Sequence, residues 1–134
     1  MIVSDTNIIV HLYVESKSSP SARRVFVRDP DWTSPILWRS EFRNALIKCF
    51  RGGAIQKDKA FGIMAAAESL MWGHEIHVPS DDVLELAASS GCSAYDAEFV
   101  VLARSLRVPL VTTDKELLEK FPETAVTPER FLAP

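Results

Sequence analysis

Along the chain, short apolar runs alternate with longer stretches in which apolar residues return every three or four positions. Met1 to Ser4 reads as a strand, and Asp5-Thr6-Asn7 supplies helix-initiating side chains before Ile8-Ile9-Val10, Leu12 and Tyr13. Lys17 to Pro20 is expected to be a loop. Ser21 to Arg28 then forms a helix made basic by Arg23, Arg24 and Arg28, and Asp29-Pro30-Asp31 ends it. Trp32-Thr33-Ser34 gives a second short strand. Pro35 is expected to open a helix carrying Trp38, Phe42, Ala45, Leu46 and Cys49 at the helical period, stopped by Gly52-Gly53. Ala60, Ile63, Met64, Ala67 and Met71 make one stripe of the next helix, and Glu75 to Val78 is briefly extended. Asp81-Asp82 is expected to cap Val83 to Ser89, which Gly91 ends. Ser93 starts the most apolar helix, running to about Leu106. Pro109 to Thr113 is a strand, Lys115 to Lys120 a short helix, and Val126-Thr127 a last edge strand. Strands alternating with helices predict an α/β fold, a three-layer α/β/α sandwich around a short parallel sheet. Such sheets bind ligands beyond the carboxyl ends of their strands.

At 134 residues, with no repeat or linker, the chain is expected to be one domain spanning residues 1–134. Apolar residues make up 47% and charged residues 25%, which excludes a disordered tail, a collagen-like repeat and a disulfide scaffold. Cys49 and Cys92 show no framework spacing and read as buried thiols of a reducing compartment. The longest unbroken apolar runs, Ile63 to Ala67 and Phe99 to Ala103, fall far short of the about 20 residues a membrane span needs. No basic, apolar leader opens the chain, so a cytoplasmic location is expected. The net charge of −3 gives no global support for binding a polyanion.

Four acids stand in unusual places. Asp5 and Asp114 follow the first and fourth expected strands at the end where the ligand crevice opens. For Asp114 capping is a serious rival, since Thr113-Asp114-Lys115-Glu116 fits a capping box. Asp96 shares a helix face with Phe99, Val100 and Ala103, and a carboxylate packed within a domain is costly unless it is paired or binds a metal. Ser93, as the cap of that helix, explains a first-turn acid but not one turned toward the core. Glu41 lies beside the buried stripe of its own helix, with Arg39 and Arg43 as rival ion-pair partners. Carboxylates converging without a basic neighbour repel one another. Hard divalent cations such as Mg²⁺ relieve that repulsion, and Mn²⁺ suits the same ligands. A site of this kind activates water and stabilises the leaving oxygen in phosphodiester hydrolysis.

Four segments in this order resemble the PIN domain and, within it, the VapC-type toxin ribonucleases. They are Val3-Ser4-Asp5-Thr6-Asn7, Ser40-Glu41-Phe42-Arg43-Asn44-Ala45-Leu46, Ser93-Ala94-Tyr95-Asp96-Ala97 and Leu110-Val111-Thr112-Thr113-Asp114. Each motif is weak alone, and the four in register are specific. The resemblance implies a Mg²⁺- or Mn²⁺-dependent endoribonuclease acting on single-stranded RNA. Asp5, Glu41, Asp96 and Asp114 would then be its catalytic, metal-binding acids. Thr6, Asn7, Ser93 and Thr113 would orient ligands or water, and Arg43 and Asn44 would support the site or touch phosphate. It further implies a homodimer and a small antitoxin protein as partner. The Ala60 to Met71 stripe is expected to be core and, if exposed, would suit a partner helix.

Other features carry less. His74-Glu75-Ile76-His77 is not a metal motif, because in an extended segment the two histidines point to opposite faces. His11 is expected at the surface or as a cap, and Trp32, Trp38 and Trp72 in the core or an interface. No glycine-rich phosphate loop or Gly-x-Ser-x-Gly elbow is present. A receiver-type phosphoryl-transfer domain is weak, since no second acid follows Asp5 two residues on. A PIN-like binding module without catalysis would be favoured by loss of one acid, and all four are present. A housekeeping PIN nuclease without an antitoxin remains an alternative.

Overall fold

Parallel neighbours cannot be joined by a tight turn, so every strand here is followed by a helical crossover that must cover one face of the sheet. The computed structural model describes residues Met1 to Pro134. Strand β1 (Ile2–Ser4) leads into α1 (Thr6–Tyr13) and α2 (Ser19–Arg28), and β2 (Trp32–Pro35) into α3 (Trp38–Arg51) and α4 (Lys57–Met71). Then β3 (Glu75–Ile76) precedes α5 (Ser80–Ser90) and α6 (Ala94–Leu106), and β4 (Leu110–Val111) precedes α7 (Lys115–Lys120). The chain closes with β5 (Ala125–Val126) and α8 (Pro128–Leu132). The five strands lie in the order β3-β2-β1-β4-β5, and every pairing is parallel.

The alternation of side chains along each strand builds the layers. Ile2 and Val111 face a core shared with Ile8, Ile9, Val25, Trp38, Phe42, Ile63 and Met71, so α1 to α4 cover that face. Val3 and Leu110 face the opposite core, with Val83, Phe99, Val100, Leu102 and Leu117 from α5, α6 and α7. The result is the three-layer α/β/α sandwich expected from the sequence. Because β1 sends its crossover one way and β4 the other, the strand order reverses between them. That switch point, beyond the carboxyl ends of the strands, is where sheets of this kind bind their ligands.

Element boundaries depart from expectation where local chemistry outweighs pattern. Helix α2 begins at Ser19, with Pro20 inside its first turn, where a missing N–H costs nothing. The Lys17 to Pro20 loop is correspondingly shorter. Pro35 ends β2 instead of opening α3, which starts at Trp38. Asp81 and Asp82 lie in the first turn of α5 and do not cap it, since Pro79 occupies the cap position. Gly91 ends α5 in the left-handed conformation, φ 74°, as glycine readily does. The last helix, α8, is too short for periodicity to reveal, although Pro128 at its start is a good signal. Trp32 and Trp38 are buried, whereas Trp72 is 77% exposed at the end of α4. Cys92 is buried and Cys49 only half-buried. No helix is long and apolar enough to cross a membrane.

Phe42 is fully buried and meets Tyr13 and Trp38 edge to face, at centroid distances of 6.4 and 5.5 Å. Phe42→Ala is expected to cost about 3–5 kcal/mol in urea unfolding, the usual range for deleting a buried ring. Phe61→Ala, at a side chain 68% exposed on α4, should stay within about 0.5 kcal/mol.

Candidate active site

The site is assembled at the switch point by two strand ends and two helix starts. Asp5 follows β1 directly, and its carboxylate Oδ2 accepts the Thr112 hydroxyl at 2.6 Å and the Asn7 amide at 3.0 Å. Thr112, fully buried just past β4, also accepts from the Asp114 backbone N–H at 2.9 Å and the Asn7 amide at 3.3 Å. Asn7 Oδ1 in turn accepts the Thr113 N–H at 3.3 Å. One buried hydroxyl therefore ties the β1–α1 turn to the β4–α7 turn.

The other acids are held by the same kind of local bonding. Thr6 donates its hydroxyl to Glu41 Oε1 at 2.7 Å, which links α1 to α3. Ser93 caps α6 by accepting from the Asp96 N–H at 3.0 Å, so the first turn that carries Asp96 is fixed. Asp114 is itself the cap of α7, accepting from Leu117 N–H at 3.1 Å. The capping box expected from Thr113 is thus displaced by one residue, and Asp114 caps while still facing Asp96.

These carboxylates share one electrostatic field. Burial pushes the Asp5 carboxyl up to about 7, with further upward pressure from Glu41 and Asp96 and partial relief from Thr112 and the Thr6 backbone. Burial likewise raises Glu41, helped by the charges of Asp96 and Glu98 and opposed by the Thr6 hydrogen bond. Asp96 is raised first by burial, then by Asp114 and Glu116. The expectation of no basic neighbour needs correction, because Lys120 stands close enough to lower Asp96 while pairing with Glu116 at 2.9 Å. No three His, Cys, Asp or Glu side chains stand within reach of a single ion.

The remaining sequence candidates divide. Thr6, Asn7 and Ser93 bond directly to the acids or to the turns that carry them, whereas the Thr113 side chain is exposed and contributes only its N–H. Arg43 lines an apolar groove between α3 and α4, and Asn44 is exposed on the same helix. The rival ion pair for Glu41 does not form. Arg39 holds Glu75 instead, through Nε at 2.6 Å and Nη2 at 3.1 Å, with Trp38 donating to the same carboxylate at 2.7 Å. That buried-edge cluster also occupies the centre of the His74 to His77 segment, whose His74 faces Asp31 at 3.4 Å. His11 is half-buried on Ser16, Nδ1 to Oγ 3.0 Å. Two residues of the site escaped the sequence reading. Strand alternation puts Thr112, not its neighbour Thr113, toward Asp5. Glu98 lies two residues beyond Asp96 and adds its charge to Glu41.

The PIN domain family matches residues 2–123 of this chain. Ribonuclease VapC3 from Pyrobaculum aerophilum is 31% identical over 130 residues, covering 95% of this chain and 98% of that protein. Among solved structures, the crystal structure of PAE2754 from Pyrobaculum aerophilum superposes with a TM-score of 0.78 at 26% identity, covering 98% of this chain and 92% of that one. A toxin–antitoxin complex from Klebsiella pneumoniae contains a chain that shares the fold, with a TM-score of 0.69 at 16% identity, covering 96% of this chain and 98% of that one.

A carboxyl whose folded-state pKa is raised binds more protons in the folded than in the unfolded chain between the two values. For Asp5 that window runs from about 4, its unfolded value, to about 7. Metal-free protein should therefore lose stability as the pH rises from 4 to 7, and Asp5→Asn should flatten the slope in thermal unfolding across that range. A second outcome concerns the buried hydroxyl. Thr112→Val leaves the Asp114 N–H and one Asp5 oxygen without their partner, and should destabilise by about 1–3 kcal/mol in the same assay.

Proposed function

The chain belongs to the PIN domain family, and on that premise we propose that it is an endoribonuclease that hydrolyses phosphodiester bonds of single-stranded RNA as the toxin of a toxin–antitoxin pair. The observation that carries this reading is the set of Asp5, Glu41, Asp96 and Asp114 at the switch point, where burial and neighbouring carboxylates raise the proton affinity of Asp5, Glu41 and Asp96. Nearly full-length similarity to a protein named as a ribonuclease supports the substrate class. The same reading takes residues 1–134 as one nuclease domain acting in the cytoplasm.

The donor set fits Mg²⁺ or Mn²⁺. It is all oxygen and rich in carboxylates, and the upward pKa shifts mark a site short of positive charge, for which protons and cations compete. Because no three of the acids are within reach of one ion, the fit favours an ion that keeps several waters, as Mg²⁺ does. Asp5, Glu41, Asp96 and Asp114 would hold it, in part through its retained waters, and it would supply Lewis-acid activation of water and stabilisation of the leaving oxygen. The chain's own residues do the positioning. Thr112 and Asn7 fix Asp5 Oδ2, and Thr6 fixes Glu41 Oε1. Asp96, half-exposed at the rim, is the carboxylate that can take a proton from an attacking water.

We further propose a homodimer and a small antitoxin protein as partner. Along the Ala60 to Met71 stripe, Ile63, Ala67 and Met71 are buried, so the stripe itself is core. The apolar surface left over is a groove of about 160 Å³ lined by Leu46, Ile47, Ala60, Phe61 and Met64, with Arg43 at its edge. That groove supports a protein partner.

Purified protein is expected to cleave a mixed single-stranded RNA pool with Mg²⁺ or Mn²⁺ and not with chelator. Asp96→Asn should lower the rate by at least about 100-fold, the loss typical of removing one preorganised electrostatic group. Equal cleavage in chelator, or an active Asp96→Asn protein, overturns the reading.

A further inference from the structure

Beside the acids, the first turn of α6 forms one wall of a second feature. Tyr95 precedes Asp96 and is 65% exposed, and Leu84 on α5 is 63% exposed. Together with Val78, Val83, Ala94 and Glu98 they line an open cavity of about 360 Å³ between α5, α6 and the segment after β3. That volume lies in the range of small-molecule sites, about 300–1,000 Å³. The Tyr95 ring stacks on none of the chain's other aromatic side chains. Two of the cavity's lining residues lie near the acids, since Tyr95 directly precedes Asp96 in α6 and Glu98 is close enough to Glu41 to add its charge.

We propose that this cavity is a nucleobase subsite for the RNA strand that crosses the acids, with Tyr95 as its stacking surface and Glu98 as its polar reader. The inference rests on the nuclease reading and names how the same site takes its substrate. An unpaired base splayed from a single strand stacks on an aromatic side chain and shows its hydrogen-bonding edge. Leu84, Val78 and Val83 supply apolar surface around that stack. The Glu98 carboxylate accepts hydrogen bonds and donates none, so it favours a base bearing an exocyclic amino group. Uracil, whose single N–H lies between two carbonyl oxygens, fits it worst. Tyr95 is thus a substrate-contacting residue, and Glu98 determines specificity at one nucleotide position.

The test uses the full chain in two arms. In the first, adenosine, cytidine, guanosine and uridine are titrated in chelator, and the Tyr95 ring resonances are followed by NMR. The ring should shift upfield with the amino-bearing nucleosides more than with uridine, and Glu98→Gln should erase that difference. In the second, the sequences at cleavage sites in a random single-stranded RNA pool are read for wild type, Tyr95→Ala, Tyr95→Phe and Glu98→Gln. Tyr95→Ala should lower kcat/KM by about 5- to 150-fold, the range for losing one base stack, while Tyr95→Phe stays near wild type. Glu98→Gln should admit uracil at one position near the cut. A ring that no nucleoside shifts, or a Tyr95→Ala protein that cuts as wild type does, overturns the subsite. Nucleosides that stack on Tyr95 in a protein that cuts no RNA would uphold the subsite and overturn the nuclease reading instead.

Discussion

The carboxyl edge of the sheet depends on one buried hydroxyl. Thr112 has a single proton to donate and gives it to Asp5, while its lone pairs receive the Asp114 N–H and the Asn7 amide. Those three bonds join strand ends that adjoin only because the sheet order reverses between β1 and β4. A hydroxyl suits the position because it both donates and accepts within one small volume. Moving the Thr112 oxygen would release Asp5, the start of α7 and the Asn7 bridge together. Pairing in the strands below sets how far it can move, with the Asp5 N–H on Val111 and the Thr112 N–H on Val126, each at 3.0 Å.

A cluster of acids at this edge opposes folding, and its neighbours show how it is tolerated. Asp5 Oδ2 accepts from Thr112 and Asn7, Glu41 Oε1 accepts from Thr6, and no buried side-chain polar atom lacks a partner. Beneath the acids, two apolar clusters flank the sheet, one built on Ile2 and Val111 and the other on Val3 and Leu110. Adjacent residues of the two central strands thus feed both cores while their last residues present the acids. The stability lost at the edge is offset by burial on both faces of the same strands. Local conflict concentrated at one place in an otherwise consistent structure is the pattern of a functional site.

What the sequence made legible follows from what short-range pattern encodes. The parallel sheet, the layers and the positions of Asp5 and Asp114 came from alternating elements and strand ends, which are local properties. The Ser93 cap was legible for the same reason, whereas α5 starts one residue before Asp81, so Asp81 and Asp82 both lie in its first turn instead of capping it. Partner choice was hidden. Arg39 and Glu41 are two residues apart and look paired, yet a helix sends them to different faces. Arg39 meets Glu75 on the neighbouring strand, and Glu41 meets Thr6. Thr112 was passed over for Thr113 because nearness to Asp114 in sequence was weighed above the period of two. Glu98 carried no local signal, since its relation to Glu41 exists only once the fold brings the starts of α3 and α6 together at the end of the sheet.

The net charge of −3 bears on how such an edge would meet a polyanion. Counterion release drives nucleic-acid binding when many Lys and Arg side chains line the path, and here several of the arginines are engaged in ion pairs. Arg39 is held by Glu75, Arg104 by Glu123 at 2.6 Å, and Arg23 by Glu15. Arg28 ends α2 beside Asp29, which takes the chain's amino terminus at the opposite edge of β1 from the acids. Lys120, at the site, pairs with Glu116 and also acts on Asp96. A strand arriving at this edge would therefore gain little from phosphate contacts with these paired side chains. Two terms remain to hold it: cations taken up by the carboxylates, and apolar or stacking contact with bases. The first falls away at low pH as protons occupy the raised acids, whereas the second does not depend on charge. An acidic chain acting on RNA is thus no contradiction, because the same carboxylates that repel phosphate would attract the cations that offset that repulsion.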